Sequence, residues 1–400
     1  MEERIKALSQ FGANPEGGVS RVAYSDADIA GRQYVMGLMK NAGLEVSIDK
    51  AGNIIGKRKG KNNNLPAIAF GSHIDSVPGG GNYDGDVGSL GAIECIELMN
   101  ENNIVTEHPL EVFIFQNEEG GLVGSEAISG ILTEEELSLV SSSGKTLRQG
   151  MIDIGGDPTR FREAARKKGD FKAFLELHIE QGGFLDREGI NIGVVEGIVG
   201  IKQWMVTFTG KANHAGTTPM DQRQDAMLAA AKFVVETNRI ARSIEGRQVA
   251  TNGKINALPG APNVIPGKVE MTLEIRDLDF EKILAVFDKI ELAAKTIEKE
   301  TGVAISYSDL NEDIPAMTDK RIQNLIAASA KNLGLTHKFM PSGAGHDTQD
   351  MARIAPTGMI FVPSKDGISH SPKEFTSPQD MANGASVLLQ TILKLDKAKF

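Results

Sequence analysis

The chain has almost no cysteine: a single residue, Cys95, in 400. That excludes an internal disulfide and fits a reducing compartment. No apolar run reaches 18 residues, so no membrane-spanning helix is expected. The first residues, Met1-Glu2-Glu3-Arg4-Ile5-Lys6, lack the apolar core of a secretory signal. No basic run stands out, and the net charge is −10 with an isoelectric point of about 5.4. Neither nucleic acid nor an anionic membrane is therefore an expected partner. Internal repeats and low-complexity segments are also missing. These absences leave a soluble, cytoplasmic protein as the expectation.

What is present begins with length. Four hundred residues, 40 % of them hydrophobic, suffice for two domains with sizeable cores. Strand and helix signals alternate through the first half. Asp26 to Ala42 has helical spacing with Gly43 as a stop. Glu45 to Lys59 reads as paired strands, followed by strand 67–71, helix 86–100, strand 110–116 and strand 173–179. This alternation predicts an α/β sheet with substantial parallel character. From about Ile201 the pattern changes to strand (204–209), helix (224–241), strands (248–255 and 268–275), helix (280–301) and strand (303–307). That β-α-β-β-α-β order is ferredoxin-like. After about Ile314 the α/β character returns, so residues 201–314 read as a domain inserted into one formed by 1–200 and 315–400.

The most informative segment is Gly71-Ser72-His73-Ile74-Asp75-Ser76, with Asn82-Tyr83-Asp84-Gly85 behind it. The apolar run Ala67-Ile68-Ala69-Phe70 delivers a histidine and a carboxylate to the end of a buried strand. Alternation along that strand would put His73 and Asp75 on one face, where the Asp75 carboxylate can fix the imidazole tautomer. A second apolar strand, Leu110 to Phe115, ends in Gln116-Asn117-Glu118-Glu119-Gly120. Adjacent carboxylates project differently, so one can bind a metal while the other handles protons. Imidazole and carboxylate converging from strand ends is how a chain builds a divalent-metal site.

Each further motif has an ordinary reading beside the functional one. Asp84 before a helix is usually an N-cap or turn former. Glu176, His178 and Glu180 share one face of an alternating strand and could simply be exposed. Asn213-His214-Ala215-Gly216 follows the first strand of the inserted domain, and Asn263 sits in a proline-rich loop. Arg276 could clamp a carboxylate bidentately or form a surface ion pair. Ser342-Gly343-Ala344-Gly345-His346-Asp347 is a small-residue loop that lets backbone approach a ligand. Gly367-Ile368-Ser369-His370 supplies a late histidine after strand 357–362.

Together, in this order over residues 20 to 395, these motifs resemble the M20-type di-metal amidohydrolases. The branch is that of the allantoate amidohydrolases, ureidoglycolate hydrolases and N-carbamoyl-L-amino-acid hydrolases. The resemblance implies a metallopeptidase-like α/β catalytic domain with an inserted ferredoxin-like α+β lid and dimerisation domain. It implies two divalent ions per chain, Zn2+, Mn2+ or Co2+. His73 and His178 would bind one ion, Glu119 and His370 the other, with Asp84 bridging. Glu118 would be the general base and acid, with Asp75 and His214 completing the catalytic set and His214 meeting the developing oxyanion. Gln181, His214, Asn263, Arg276, Gly345 and His346 would line the substrate, a ureide or N-carbamoyl amino acid. His214 and Asn263 would reach the neighbouring site of a homodimer. Many members of the branch carry an Arg-Phe pair shortly after the twin glutamates, where this chain has Gly120-Gly121-Leu122-Val123. That departure leaves the choice of ureide open. An aminopeptidase or dipeptidase of the same superfamily, or a ureide-binding protein without catalysis, are the alternative readings.

Overall fold

The computed structural model describes residues 1–399, which fall into two compact units, Met1–Ile198 with Met317 onward, and Val199–Ala316. The first unit is built on one large sheet. Across it run strands Glu45–Ile48, Ile54–Arg58, Leu110–Phe115, Ala67–His73, Phe171–Ile179, Thr357–Val362 and Ile192–Ile198, with His337–Ser342 paired to the last. The four central strands, 110–115, 67–73, 171–179 and 357–362, are mutually parallel. The hairpin 45–58 extends them antiparallel on one side, and 192–198 does so on the other.

Parallel strands covered on both faces have no polar side. Val112 and Ile114 enter one core cluster and Phe113 and Phe115 the other, with every residue of that strand buried. Burying a Phe or Ile side chain contributes roughly 1.5–3 kcal/mol. Helices Asp26–Asn41, Asp86–Glu101, Lys320–Asn332 and Pro378–Lys397 supply one covering layer. Their starts are chemically marked. Ser25 accepts the Asp28 N–H, and Ser377 accepts that of Asp380 ahead of Pro378 in the first turn.

Of the two readings open for the polar face of strand 171–179, the buried one holds: Glu176 and His178 on the strand and Glu180 just after it are all buried. One element differs from the expectation. The strand expected over 248–255 in the second unit is not continuous. It is split into Val249–Thr251 and Ile255–Leu258, both paired with strand Lys268–Asp277, because an extra residue between them breaks the ladder and the Asn252 amide bonds to the Thr272 carbonyl.

The second unit has the sheet order 304–313, 200–209, 268–277, 255–258, all antiparallel. Numbered along the chain this is 4-1-3-2, the ferredoxin-like arrangement. Helices Ala226–Ser243 and Phe280–Thr301 bury one face of it around Trp204, Phe208 and Phe233. Trp204 stacks on Phe287 at 4.1 Å. Among the described residues no helix is long and apolar enough to cross a membrane.

Candidate active site

The site lies at the carboxyl ends of the four parallel strands, where an open α/β sheet places its ligands. Strand 67–73 ends at His73, and strand 171–179 carries His178. The loop after 110–115 presents Glu118 and Glu119, and the loop after 357–362 presents His370. Asp84 comes from the turn before helix 86–101. That turn requires Gly85, whose φ is 66° and where any Cβ would overlap the His73 ring. Asp84 is therefore not the N-cap; Gly85 is, and the Asp84 carboxylate is turned into the site.

Asp84 divides its two oxygens. Oδ1 lies 3.1 Å from His178 Nε2 and 3.6 Å from His73 Nε2. Oδ2 lies 3.3 Å from His370 Nε2, which is itself 3.5 Å from Glu119. Two donor sets thus share one carboxylate: His73, Asp84 and His178, and Asp84, Glu119 and His370. Glu118 stands 3.7 Å from His73 Nε2 without belonging to either set.

The donors fit divalent cations. His73 Nε2 and Glu119 Oε1 are buried atoms with no hydrogen-bond partner, which a native site does not leave without cause. Imidazole nitrogen and carboxylate oxygen suit Zn2+, Mn2+ and Co2+ alike. A third cluster, Glu176, His178 and His346, fits less well. Both Glu176 oxygens already accept hydrogen bonds, from Ser72 Oγ at 2.7 Å and from the Thr348 N–H and hydroxyl.

Charge sets the protonation pattern. Burial raises the Asp84 carboxyl, but His178, His370 and His73 outweigh it and hold Asp84 well below the usual carboxylate range. Burial, reinforced by Asp347, Glu119 and Asp75, pushes Glu118 well above that range despite the opposing His73. Burial and then Asp84 raise Glu119 to about 7. Burial lowers His73, yet Glu118, Asp84 and Asp75 overcome it and raise the ring well above its ordinary value.

Asp75 differs from its expected role. The strand stops at His73, so Asp75 is out of the pleat. Its backbone carbonyl, not its carboxylate, faces His73 Nδ1 at 3.0 Å, and the nearer carboxylate oxygen is 3.8 Å away. The carboxylate instead accepts the Glu118 and Glu119 N–H groups, both at 3.2 Å. It steadies the loop that presents the twin glutamates.

Gln181 also meets the cluster directly: its amide donates to Asp84 Oδ2 at 2.7 Å. His346 is buried with Nε2 2.9 Å from Ser342 Oγ, and burial followed by His178 holds its ring well below its ordinary pKa. Gly345 is exposed, and a Cβ there would sit 4.0 Å from Leu122.

In the second unit, His214 and Asn263 are brought together. Strands Asn213–His214 and Val264–Ile265 pair, and the Ala215 N–H donates to the Asn263 carbonyl at 3.0 Å. His214 Nδ1 accepts from the Gly216 and Thr217 N–H groups, so the neutral ring carries its proton on Nε2. Both residues are exposed. Arg276 is not beside them. It lies near the far end of strand Lys268–Asp277, its Nε bonded to Glu274 at 2.6 Å, and Gln203 holds that same Glu274.

Sequence reasoning missed the buried acids Glu176 and Asp347. Both Asp347 oxygens are buried without a hydrogen-bond partner. Burial and then Glu176 push the Asp347 carboxyl well above its usual range. Strand alternation placed Glu176 beside His178, but nothing local told that this face is covered.

Comparison with known proteins decides the family. Peptidase family M20/M25/M40 matches residues 69–394. The chain belongs to that family. It is 41 % identical over 398 residues to the N-carbamoyl-L-amino acid amidohydrolase of Geobacillus stearothermophilus, covering 98 % of this chain and 97 % of that one. It is 40 % identical to the ureidoglycolate hydrolase of Arabidopsis thaliana, over 99 % of this chain and 86 % of that one. Among solved structures, a hydantoinase/carbamoylase family amidase from Burkholderia multivorans superposes with a TM-score of 0.92 at 35 % identity. That match covers 100 % of this chain and 98 % of the other. The M20 fold thus runs through both units of the chain.

Proposed function

We propose that this M20 protein is a cytoplasmic dinuclear-metal amidohydrolase. It hydrolyses a linear ureido C–N bond in a small carboxylate-bearing substrate such as allantoate, ureidoglycolate or an N-carbamoyl-L-amino acid. The observation that carries this reading is the split of Asp84 between two imidazole and carboxylate sets, with Glu118 alongside. The relatives' activities point to the ureido class.

His73, His178 and Asp84 would hold one cation, and Asp84, Glu119 and His370 the other. Such cations polarise a carbonyl and acidify a water. The chain's residues do the rest. Glu118 takes the proton of the attacking water on its carboxylate and returns it to the departing nitrogen. Asp75 keeps Glu118 in place through the loop backbone. His214, with its proton on Nε2, is a donor for the developing oxyanion. A ureido carbamoyl group would leave as ammonia and carbon dioxide.

Arg276 anchors the substrate carboxylate in this reading, with Glu274 fixing the guanidinium by its Nε edge. Eight residue steps place Arg276 roughly 27 Å along the strand from Lys268, beyond which His214 and Asn263 lie. One small substrate cannot span that strand within one chain. The inserted unit is therefore read as a lid and dimerisation module that lends His214 and Asn263 to a second copy's site.

Ammonia release from the metal-reconstituted protein tests the function. The substrates are allantoate, ureidoglycolate, ureidoglycine and a panel of N-carbamoyl amino acids, with dipeptides in parallel. Release from at least one ureide is expected; cleavage of dipeptides alone would overturn the reading. On the active ureide, Arg276→Lys is expected to raise KM at least ~10-fold with metal content unchanged. Lysine cannot reproduce the planar fork, and one charge-assisted hydrogen bond contributes about 1.5–3 kcal/mol. An unaltered KM would remove Arg276 from the carboxylate.

A further inference from the structure

Glu374 joins two distant stretches of chain that carry donors of the proposed metal centre, and nothing in the reaction above uses it. It lies four residues beyond His370 and is only 4 % exposed. Its Oε1 accepts the N–H groups of Tyr83 and Asp84, at 2.9 and 3.0 Å. Its Oε2 accepts the Ser369 hydroxyl at 2.9 Å and the His370 N–H at 3.2 Å. Ser369 Oγ is also 2.9 Å from Asp84 Oδ2. One carboxylate therefore gathers the turn bearing Asp84 and the loop bearing His370, which are some 290 residues apart in sequence.

Two further observations show that the contact is built in. His370 has φ of 53°, a left-handed conformation uncommon outside glycine, and Glu374 takes its N–H. Gly81 lies against the Glu374 side chain, and any Cβ there would overlap the carboxylate and the Glu374 Cβ. Gly81 has no left-handed φ, so the glycine is there for close approach.

We propose that Glu374 is a positioning residue that sets Asp84 and His370 relative to each other, and so shapes the cation site made by Asp84, Glu119 and His370. This rests on the dinuclear reading above. Four N–H or O–H donors converge on the carboxylate, and an amide in its place offers one acceptor oxygen and turns an NH2 toward donors. Residues that orient metal ligands typically govern affinity by about 10–100-fold.

The test is Mn2+ binding to chelator-treated full-length protein, by equilibrium dialysis, for wild type, Glu374→Gln, Glu374→Asp and Gly81→Ala. Wild type is expected to bind two ions. In Glu374→Gln and Gly81→Ala one of the two ions should lose affinity ~10–100-fold, while the thermal midpoint of the metal-free protein stays near wild type. Gly81→Ala keeps the acid but displaces it, so agreement between the two variants points to the latch and not to lost charge. Glu374→Asp, which keeps the charge on a shorter arm, should fall between. The Co2+-loaded variants should also differ from wild type in their visible absorption. Wild-type affinity for both ions in Glu374→Gln and Gly81→Ala would overturn the latch, as would losses that merely track a lower metal-free midpoint. A wild type that binds no Mn2+ would overturn the dinuclear reading and the latch with it.

Discussion

Glu118→Gln is expected to lower kcat by at least ~10²-fold, and up to ~10⁴-fold, the range general acid–base catalysis supplies. Glutamine keeps the shape and the backbone bond to Asp75 but cannot take up a proton. Glu118 belongs to neither donor set, so the metal content measured on the purified variant should match wild type. KM should change little, because the group acts on the water and the leaving nitrogen. Its raised carboxyl is caused by burial first and then by Asp347, Glu119 and Asp75. A glutamine variant with wild-type kcat would show that another group moves the proton. One that lost its metal would make Glu118 a ligand.

Chelation is expected to abolish activity altogether, and stoichiometric Zn2+, Mn2+ or Co2+ to restore it. The same treatment should lower the thermal midpoint. An ion present at 100 times its dissociation constant stabilises the folded state by about 2.7 kcal/mol, and that contribution vanishes with the ion. The physical reason lies in the cluster itself. Asp84, Glu118 and Glu119 stand close together in a largely buried setting, where like charges repel and orphaned donors such as His73 Nε2 go unsatisfied. Full activity in metal-free protein, assayed by ammonia release, would end the metal reading.

Much of the site is legible in the chain because its chemistry is local. A histidine at the end of Ala67–His73 and twin glutamates just past Leu110–Phe115 need only an apolar run and the few residues after it. The Gly85 turn and the late Ser369-His370 stand out for the same reason. The role of Asp75 is not local. It depends on the strand stopping at His73, which turns a carbonyl to the ring and frees the carboxylate for the Glu118 loop. Gln181 reads as a substrate residue, and only the fold shows that its amide also donates to Asp84, from a backbone with φ of 57°. The alternation of strand 171–179 leaves open whether its polar face is exposed; only the fold shows it covered, with the Ser72 and Thr348 hydroxyls satisfying Glu176. Glu180 is spent on the N–H groups of Phe184 and Leu185.

The sequence by itself determined the parallel α/β core, the ferredoxin-like insertion and the residue types that meet at the strand ends. Apolar runs, helical spacing and turn residues act over a few positions, and those are written in the chain. Only the tertiary structure decided that Asp84 faces two donor sets, that Arg276 lies a strand's length from His214, and that Glu374 grips both the Asp84 turn and the His370 loop. Each of these is a spatial relation between segments far apart in sequence, two of them contacts and the Arg276–His214 one a separation. It is fixed by how the sheet orders its strands and how the loops close over their ends, and no local pattern records that order.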